Sequence, residues 1–278
     1  MLLHKERENT MAKKNDADSN YELIIAHIFA AHYKKGVREF AFSRDEIIDA
    51  VTTLNIPRPK NAGDVVYAYR YRKRLPDSIT KTQPDGYEWI IQGAGTAMYR
   101  FRLVTLNRIL PRENLVSIKI PDSTPEIIGN YALGDEQALL AKVRYNRLID
   151  IFLGITAFSL QNHLRTAVKG IGQIEIDEIY VGVDKHGRQY VIPVQAKGGS
   201  DQHGVVQTTQ DIACCAAKFP QLICRPVSVQ FVTPTKIAMF ELTEVEGDIK
   251  IADEKHYHLV PSSDISSDDL ASYRMTAK

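Results

Sequence analysis

Cysteine is scarce in this chain: three in 278 residues, two of them adjacent at Cys214 and Cys215. Three thiols with no C-x-x-C spacing make neither a disulfide framework nor a thiolate metal site. A reducing, cytoplasmic setting is therefore expected. No run near ~18 residues is both apolar and free of charge, so no membrane-spanning helix is predicted. The polar opening residues contain no apolar signal core. An excess of one charge is also missing, with 35 Lys and Arg against 34 Asp and Glu. Any surface for nucleic acid must then be local, balanced by acid elsewhere. What remains is an ordinary globular composition, 44% apolar and 25% charged, over a length sufficient for two domains.

Residues 1–19 are polar and without periodicity, which predicts a disordered arm. From Tyr21 the pattern is helical, with Leu23, Ile24, Ile25, Ile28, Phe29 and Ala30 as its apolar face and Gly36 beyond its end. A short strand is expected over Val37–Phe42. Ser43-Arg44-Asp45-Glu46 has the form of a capping box and opens a second helix to about Leu54. A third helix is predicted from Asn61 to Lys73, before Pro76. Tyr87–Gln92 and Ala97–Leu103 then alternate as a hairpin. Helix, strand, helix, helix and a two-stranded wing is an order that resembles a winged helix-turn-helix domain, here over 20–104.

Local charge gives that resemblance its function. Arg58, Lys60, Arg70, Arg72, Lys73 and Arg74 are six basic residues between 58 and 74, against Asp64 as the one acid. Such a helix neutralises phosphates, and its arginines can grip guanine. Asn61 and Tyr67 are further candidates for DNA contact, and Arg100 and Arg102 lie on the wing. The bland alternative is a solvated helix end, where cations are favoured anyway. Trp89 and Phe101 are expected in the core.

Residues 105–134, with Pro111, Pro121 and Pro125, read as a linker carrying a short strand at Leu115–Ile120. Asp135 to about Lys169 reads as helical, interrupted near Gly154. After 204–218, a predicted helix, come strands near 226–232, 237–242 and 248–252. His256 and His258 have no third ligand at zinc spacing. Cys214 and Cys215 are expected to pack in the core.

The stretch 174–197 carries the chemistry. Two apolar, β-branched strands, 174–183 and 189–197, flank Asp184-Lys185-His186-Gly187. A three-residue loop sets Asp184 opposite Arg188, hence Asp177 opposite Gln195 and Glu175 opposite Lys197, all on one face. A two-residue turn sets Glu178 opposite Gln195 instead. The first register gathers the polar groups and is the one favoured. Carboxylates, an amide oxygen and waters suit a hard cation, and a neighbouring lysine can stabilise charge that develops beside it. The competing account is a solvated face with cross-strand ion pairs.

Asp177, followed 18 residues later by Gln195-Ala196-Lys197 on the next strand, resembles the PD-(D/E)XK nuclease superfamily. Gln195 stands where the usual acid would be, as in the Mrr-type variant, and Ile176 replaces the proline of the name. The close resemblance covers about 175–232, where helix and strand follow the lysine in the superfamily's order. It implies a restriction-endonuclease-like α/β (α+β) domain over 135–278, a mixed sheet flanked by helices. Asp177, Gln195, Lys197 and Glu175 would be its catalytic set. Asp177, Gln195, Glu175 and Glu178 would be its metal ligands, and Mg²⁺ (or Mn²⁺) its cofactor. A preceding helix often adds a further acid, Glu136 or Asp150 here. The implied activity is site-specific cleavage of double-stranded DNA, by a homodimer, with a cognate DNA methyltransferase in the same system. The alternatives are a non-catalytic DNA-binding regulator on a degenerate nuclease fold and a structure-specific nuclease.

Overall fold

A computed structural model of the chain describes residues 19–131, 136–168, 171–198 and 201–276. The arm expected over 1–19 lies outside the described residues except for Ser19, as do Asp135 and Lys169, the ends of the helical stretch expected there. The described residues form two compact units. One reaches to Asn107 and takes in 171–172; the other contains the rest. Among the described residues no helix is long and apolar enough to cross a membrane.

The first unit opens with α1, residues 19–32. Ile24, Ile25, Ile28 and Phe29 are buried at helical spacing. Leu23 and Ala30 are exposed, so the buried face is narrower than the apolar count suggests. β1 (Glu39–Ser43) leads into α2 (Arg44–Leu54). Ser43 Oγ accepts from the Glu46 amide at 3.3 Å, and Glu46 Oε1 accepts from the Ser43 amide at 2.7 Å. These two bonds satisfy orphan donors at the helix start. Asn55, left-handed at φ 50, ends the helix. α3 (Ala62–Tyr67) continues into a π-helical turn, Ala68–Arg72, and α4 (Asp77–Thr80) follows Pro76. β2 (Glu88–Gly93) and β3 (Met98–Val104) complete an antiparallel sheet of order β1-β3-β2. The core centres on Phe29, whose ring lies 5.2 Å from Trp89 and 5.1 Å from Phe101. Both expected core aromatics are therefore inside.

The second unit contains β4 (Arg108–Ile109), β5 (Ser117–Pro121), α5 (Glu126–Tyr131), α6 (Glu136–Tyr145) and α7 (Leu148–Leu153). Three strands follow: β6 (Thr156–Val168), β7 (Gly172–Val183) and β8 (Gln189–Lys197). Then come β9 (His203–Gly204), α8 (Val205–Lys218), β10 (Ile223–Cys224), β11 (Val227–Thr233), β12 (Lys236–Val245), β13 (Asp248–Val260) and α9 (Ser267–Thr276). The large sheet runs β5-β13-β12-β11-β8-β7-β6, with β10 beside β8. It is mixed: β11 lies parallel to β8 and β5 parallel to β13, while β7–β8, β11–β12 and β12–β13 are antiparallel. Mixed α/β architecture with flanking helices agrees with the expectation at that level.

The short strand expected over Leu115–Ile120 is present as β5, an edge strand of the large sheet, and β4 before it pairs with β9. Two local expectations change. Residues 156–168 are strand rather than helix. Gly154, at φ 65, stops α7, and the Asp150 carboxylate then takes the Ala157 amide at 3.1 Å and pins the start of β6. β13 runs on to Val260 where a strand over 248–252 was expected, because the polar stretch 252–256 pairs along β12.

The β7–β8 hairpin has the three-residue-loop register, Glu178 facing Val194 through Val183 facing Gln189. Asp184 Oδ1 accepts from the His186 and Arg188 amides at 2.9 and 3.0 Å, and Gly187 supplies φ 79. β8 is buried along almost its whole length. Its Tyr190, Ile192, Val194 and Ala196 pack with Leu139, Val143, Leu148 and Ile149 of α6 and α7. Such a near-continuous apolar run is what a central strand with a parallel neighbour requires.

Gly182 sits where β7 meets the start of β6. A Cβ there would stand 2.9 Å from the Thr156 carbonyl oxygen and 3.0 Å from Ile155 Cδ1. Backbone cannot yield as a flexible side chain does. Gly182→Ala is expected to lower unfolding free energy by about 1–3 kcal/mol. Chemical denaturation would measure it, and an unchanged midpoint would show that the strands part easily.

Candidate functional site

Continuing the hairpin register places Asp177 opposite Gln195. Lys197 ends β8, and Glu136 begins α6. The side chains of Asp177, Lys197 and Glu136 meet near one end of β8. Lys197 Nζ donates to Glu136 Oε1 at 2.9 Å and lies 4.0 Å from Asp177 Oδ2. Asp177 Oδ2 also accepts from the Ala196 amide at 2.8 Å. Asp177 and Lys197 are mostly buried, while Glu136 is partly open to solvent. Burial raises the Asp177 carboxyl above the ordinary range, and Lys197 opposes the rise without cancelling it. His163, on β6, also favours ionised Asp177. Its φ of 47 is unusual for a residue within a strand.

Gln195 faces α8. Its Nε2 donates to Asp211 Oδ1 and Oδ2 at 3.2 and 3.1 Å and to the Glu175 carbonyl at 3.0 Å. Asp211, which reading the motif alone overlooked, is 2% exposed. It occupies the buried stripe Thr208, Asp211, Cys215 of α8, which the N-cap Gly204 continues. An acid at i, i+4, i+7 spacing within an otherwise apolar or small face was the available signal. Burial drives the Asp211 carboxyl well above its usual range, and Gln195 only partly offsets this.

His203, beyond the end of β8, is fully buried, with Nε2 3.1 Å from Thr208 Oγ1. Burial first, then Lys197 and Arg108, push its pKa down to about 3, so it is neutral.

Several expected site acids are engaged elsewhere. Glu175 turns its carboxylate outward to Arg165 at 2.9 Å and contributes only its carbonyl to the Gln195 network. Glu178 is the next residue after Asp177, so alternation turns it to the other side of the strand. There it is wholly buried and bonded to Arg144 at 3.0 Å and to Ser159. A cationic partner already neutralises it, which corrects its assignment as a metal ligand. Asp150 holds Arg147 and the Ala157 amide, leaving Glu136 as the helix-borne acid. His256 is paired with Glu254, whose carboxylate also holds Arg112.

Among the described residues no group of three or more His, Cys, Asp and Glu is arranged to hold a metal. The donor set at the strand end is smaller. Glu136 and Asp177 both approach one cation, the Lys197 ammonium, within 4.0 Å. Two carboxylates, with water and phosphate oxygens for the remainder, suffice for Mg²⁺.

The basic segment of the first unit is largely solvent-facing. Arg58, Lys60, Arg72 and Arg74 are exposed. Arg72 lies over the Tyr67 ring at 5.0 Å and Arg70 over Tyr71 at 5.0 Å. Lys73 is half-buried. Asn61 is the N-cap of α3: its Oδ1 accepts from the Gly63 amide and from Arg44. That use of the side chain explains Asn61 without a base contact. Arg100 pairs with Glu39 at 3.4 Å on the sheet surface.

Comparison with protein-family models, curated proteins and solved structures gave no match.

The buried Asp211 has a consequence for stability. A carboxyl whose pKa is higher in the folded chain binds its proton more tightly there than when unfolded. Its contribution is complete below the ordinary Asp value of ~4 and is lost as pH rises toward the folded value. In EDTA, the stability of Asp211→Asn relative to the parent is therefore expected to improve as pH rises above about 4. Urea midpoints across that range measure it, and a pH-independent difference would contradict the assignment.

Proposed function

We propose that the second unit is a Mg²⁺-dependent phosphodiesterase site of the PD-(D/E)XK kind, acting on double-stranded DNA that the first unit binds. The observation that carries this reading is the convergence of Glu136, Asp177 and Lys197 at one strand end, 2.9 and 4.0 Å apart through the ammonium. The order of elements supports it as well, since α8 and then β11, parallel to β8, follow Lys197. Asp177 and Glu136 would hold the ion, with the Gln195 amide oxygen as a neutral third donor. Bound Mg²⁺ supplies an acidified water and a positive charge beside the phosphate. Lys197 places a second positive charge where negative charge accumulates during attack. The partly buried surroundings strengthen both interactions.

In the first unit, Arg58, Lys60, Arg72 and Arg74 would contact phosphates, with Arg70, Lys73 and Tyr67 beside them in a winged-helix arrangement. Cutting both strands requires two such sites, which a homodimer supplies by symmetry. A site-specific enzyme of this type works beside a DNA methyltransferase of matching specificity. The competing reading is a DNA-binding regulator without catalysis. It draws on the absence of an acid at 195 and on the commitment of that amide nitrogen to Asp211 and Glu175.

Plasmid DNA with Mg²⁺ distinguishes the two. Asp177→Ala and Lys197→Ala are each expected to slow cleavage at least ~100-fold, while gel-shift affinity in EDTA persists. Both variants cutting like the parent would refute the assignment. Replacing Arg72 or Arg74 by Ala should reduce the slope of log affinity against log salt by about one per residue. Unaltered slopes would remove this helix from the interface.

A further inference from the structure

We propose that Asp211 is a positioning residue for Gln195: it determines which end of the amide faces the metal and phosphate. The inference rests on the reading of the site just given. The two ends of a glutamine amide have nearly the same shape but opposite hydrogen-bonding character, so the partners decide the orientation. The Glu175 carbonyl, which can only accept, lies 3.0 Å from Nε2, and the Asp211 carboxyl, which keeps an acceptor oxygen even when protonated, lies within 3.2 Å. Acceptors thus claim the nitrogen, and the oxygen is turned away from α8. An amide oxygen is an acceptable neutral ligand for a hard cation; an amide nitrogen is not.

Packing does not explain Asp211. It sits 2% exposed on a helix face whose other members are small or apolar, where an unneeded carboxylate is unfavourable. It is too deeply buried to meet substrate and acts through Gln195. The pair also accounts for the amide at 195. A glutamate there would bring a second carboxylate within hydrogen-bond reach of Asp211, and two buried carboxylates so close cannot both ionise. Gln195 and Asp211 therefore specify each other, with the acid moved from the hairpin to the helix behind it.

The test uses the full chain and four variants: Asp211→Leu, Asp211→Asn, Gln195→Glu and the double variant Gln195→Glu with Asp211→Asn. Melting in EDTA checks folding, and plasmid cleavage is titrated with Mg²⁺. The shift in melting temperature on adding Mn²⁺ reports metal binding without turnover. Asp211→Leu is expected to raise the Mg²⁺ needed for half-maximal cleavage by ~10- to 100-fold. Asp211→Asn, which keeps one acceptor oxygen, should raise it less. Gln195→Glu alone should lose at least ~10-fold, and adding Asp211→Asn should restore most of it. If Asp211→Leu does not fold, the Gln195→Glu pair decides by itself. A parent that cuts and is silenced by Asp177→Ala, but whose Mg²⁺ requirement ignores residue 211, overturns this inference alone. A parent with neither cleavage nor a Mn²⁺-induced shift overturns both this inference and the reading beneath it.

Discussion

The register of one hairpin governs the second unit. Asp184 closes a three-residue loop by accepting the His186 and Arg188 amides. From that point every pair along β7 and β8 is determined, because side chains alternate with period two. A slip of one residue would instead set Glu178 opposite Gln195, on the same face, in the place that Asp177 takes. The loop therefore decides which acids can meet Lys197 and which must find partners on the other face.

Charge near the middle of a sheet has to be answered on both sides. On one face Lys197 stands between Glu136 and Asp177, with Gln195 and Asp211 behind them. On the other, Arg144 and Ser159 satisfy the wholly buried Glu178. Adjacent residues of one strand thus have different fates. Glu178 has a tight cationic partner and a closed environment. Asp177 has a looser contact, 4.0 Å from the ammonium, and a carboxyl raised by burial. Poorly compensated charge of this kind is more typical of a site that receives a ligand than of a structural ion pair.

Much of the local structure was legible because it depends on neighbours in the chain. Ser43 and Glu46 announce a helix start three residues apart, and the bonds form as that spacing implies. The 184–187 turn and the apolar run of β8 identified the hairpin and its favoured register. Asn61, expected among the DNA contacts, caps α3 through the nearby Gly63 amide, and its further bond to Arg44, 17 positions away, was not legible. Residues 156–168 looked helical because their alternation is weak. Only pairing with β7 and the stop at Gly154 make them a strand. Glu136 and Asp150 were equivalent candidates on paper. Asp150 is consumed by Arg147 and the start of β6, and Glu136 is left to reach Lys197.

By itself the sequence determined the two-unit plan, the caps and turns, the basic segment at 58–74 and the proximity of Asp177, Gln195 and Lys197. Each of these rests on contacts a few residues apart or on a single hairpin register. The tertiary structure alone decided that Glu136 and Asp211 join them. Those outcomes depend on which helix packs on which face of β8. That packing is set by burial summed over many distant residues, and no short spacing in the chain encodes it.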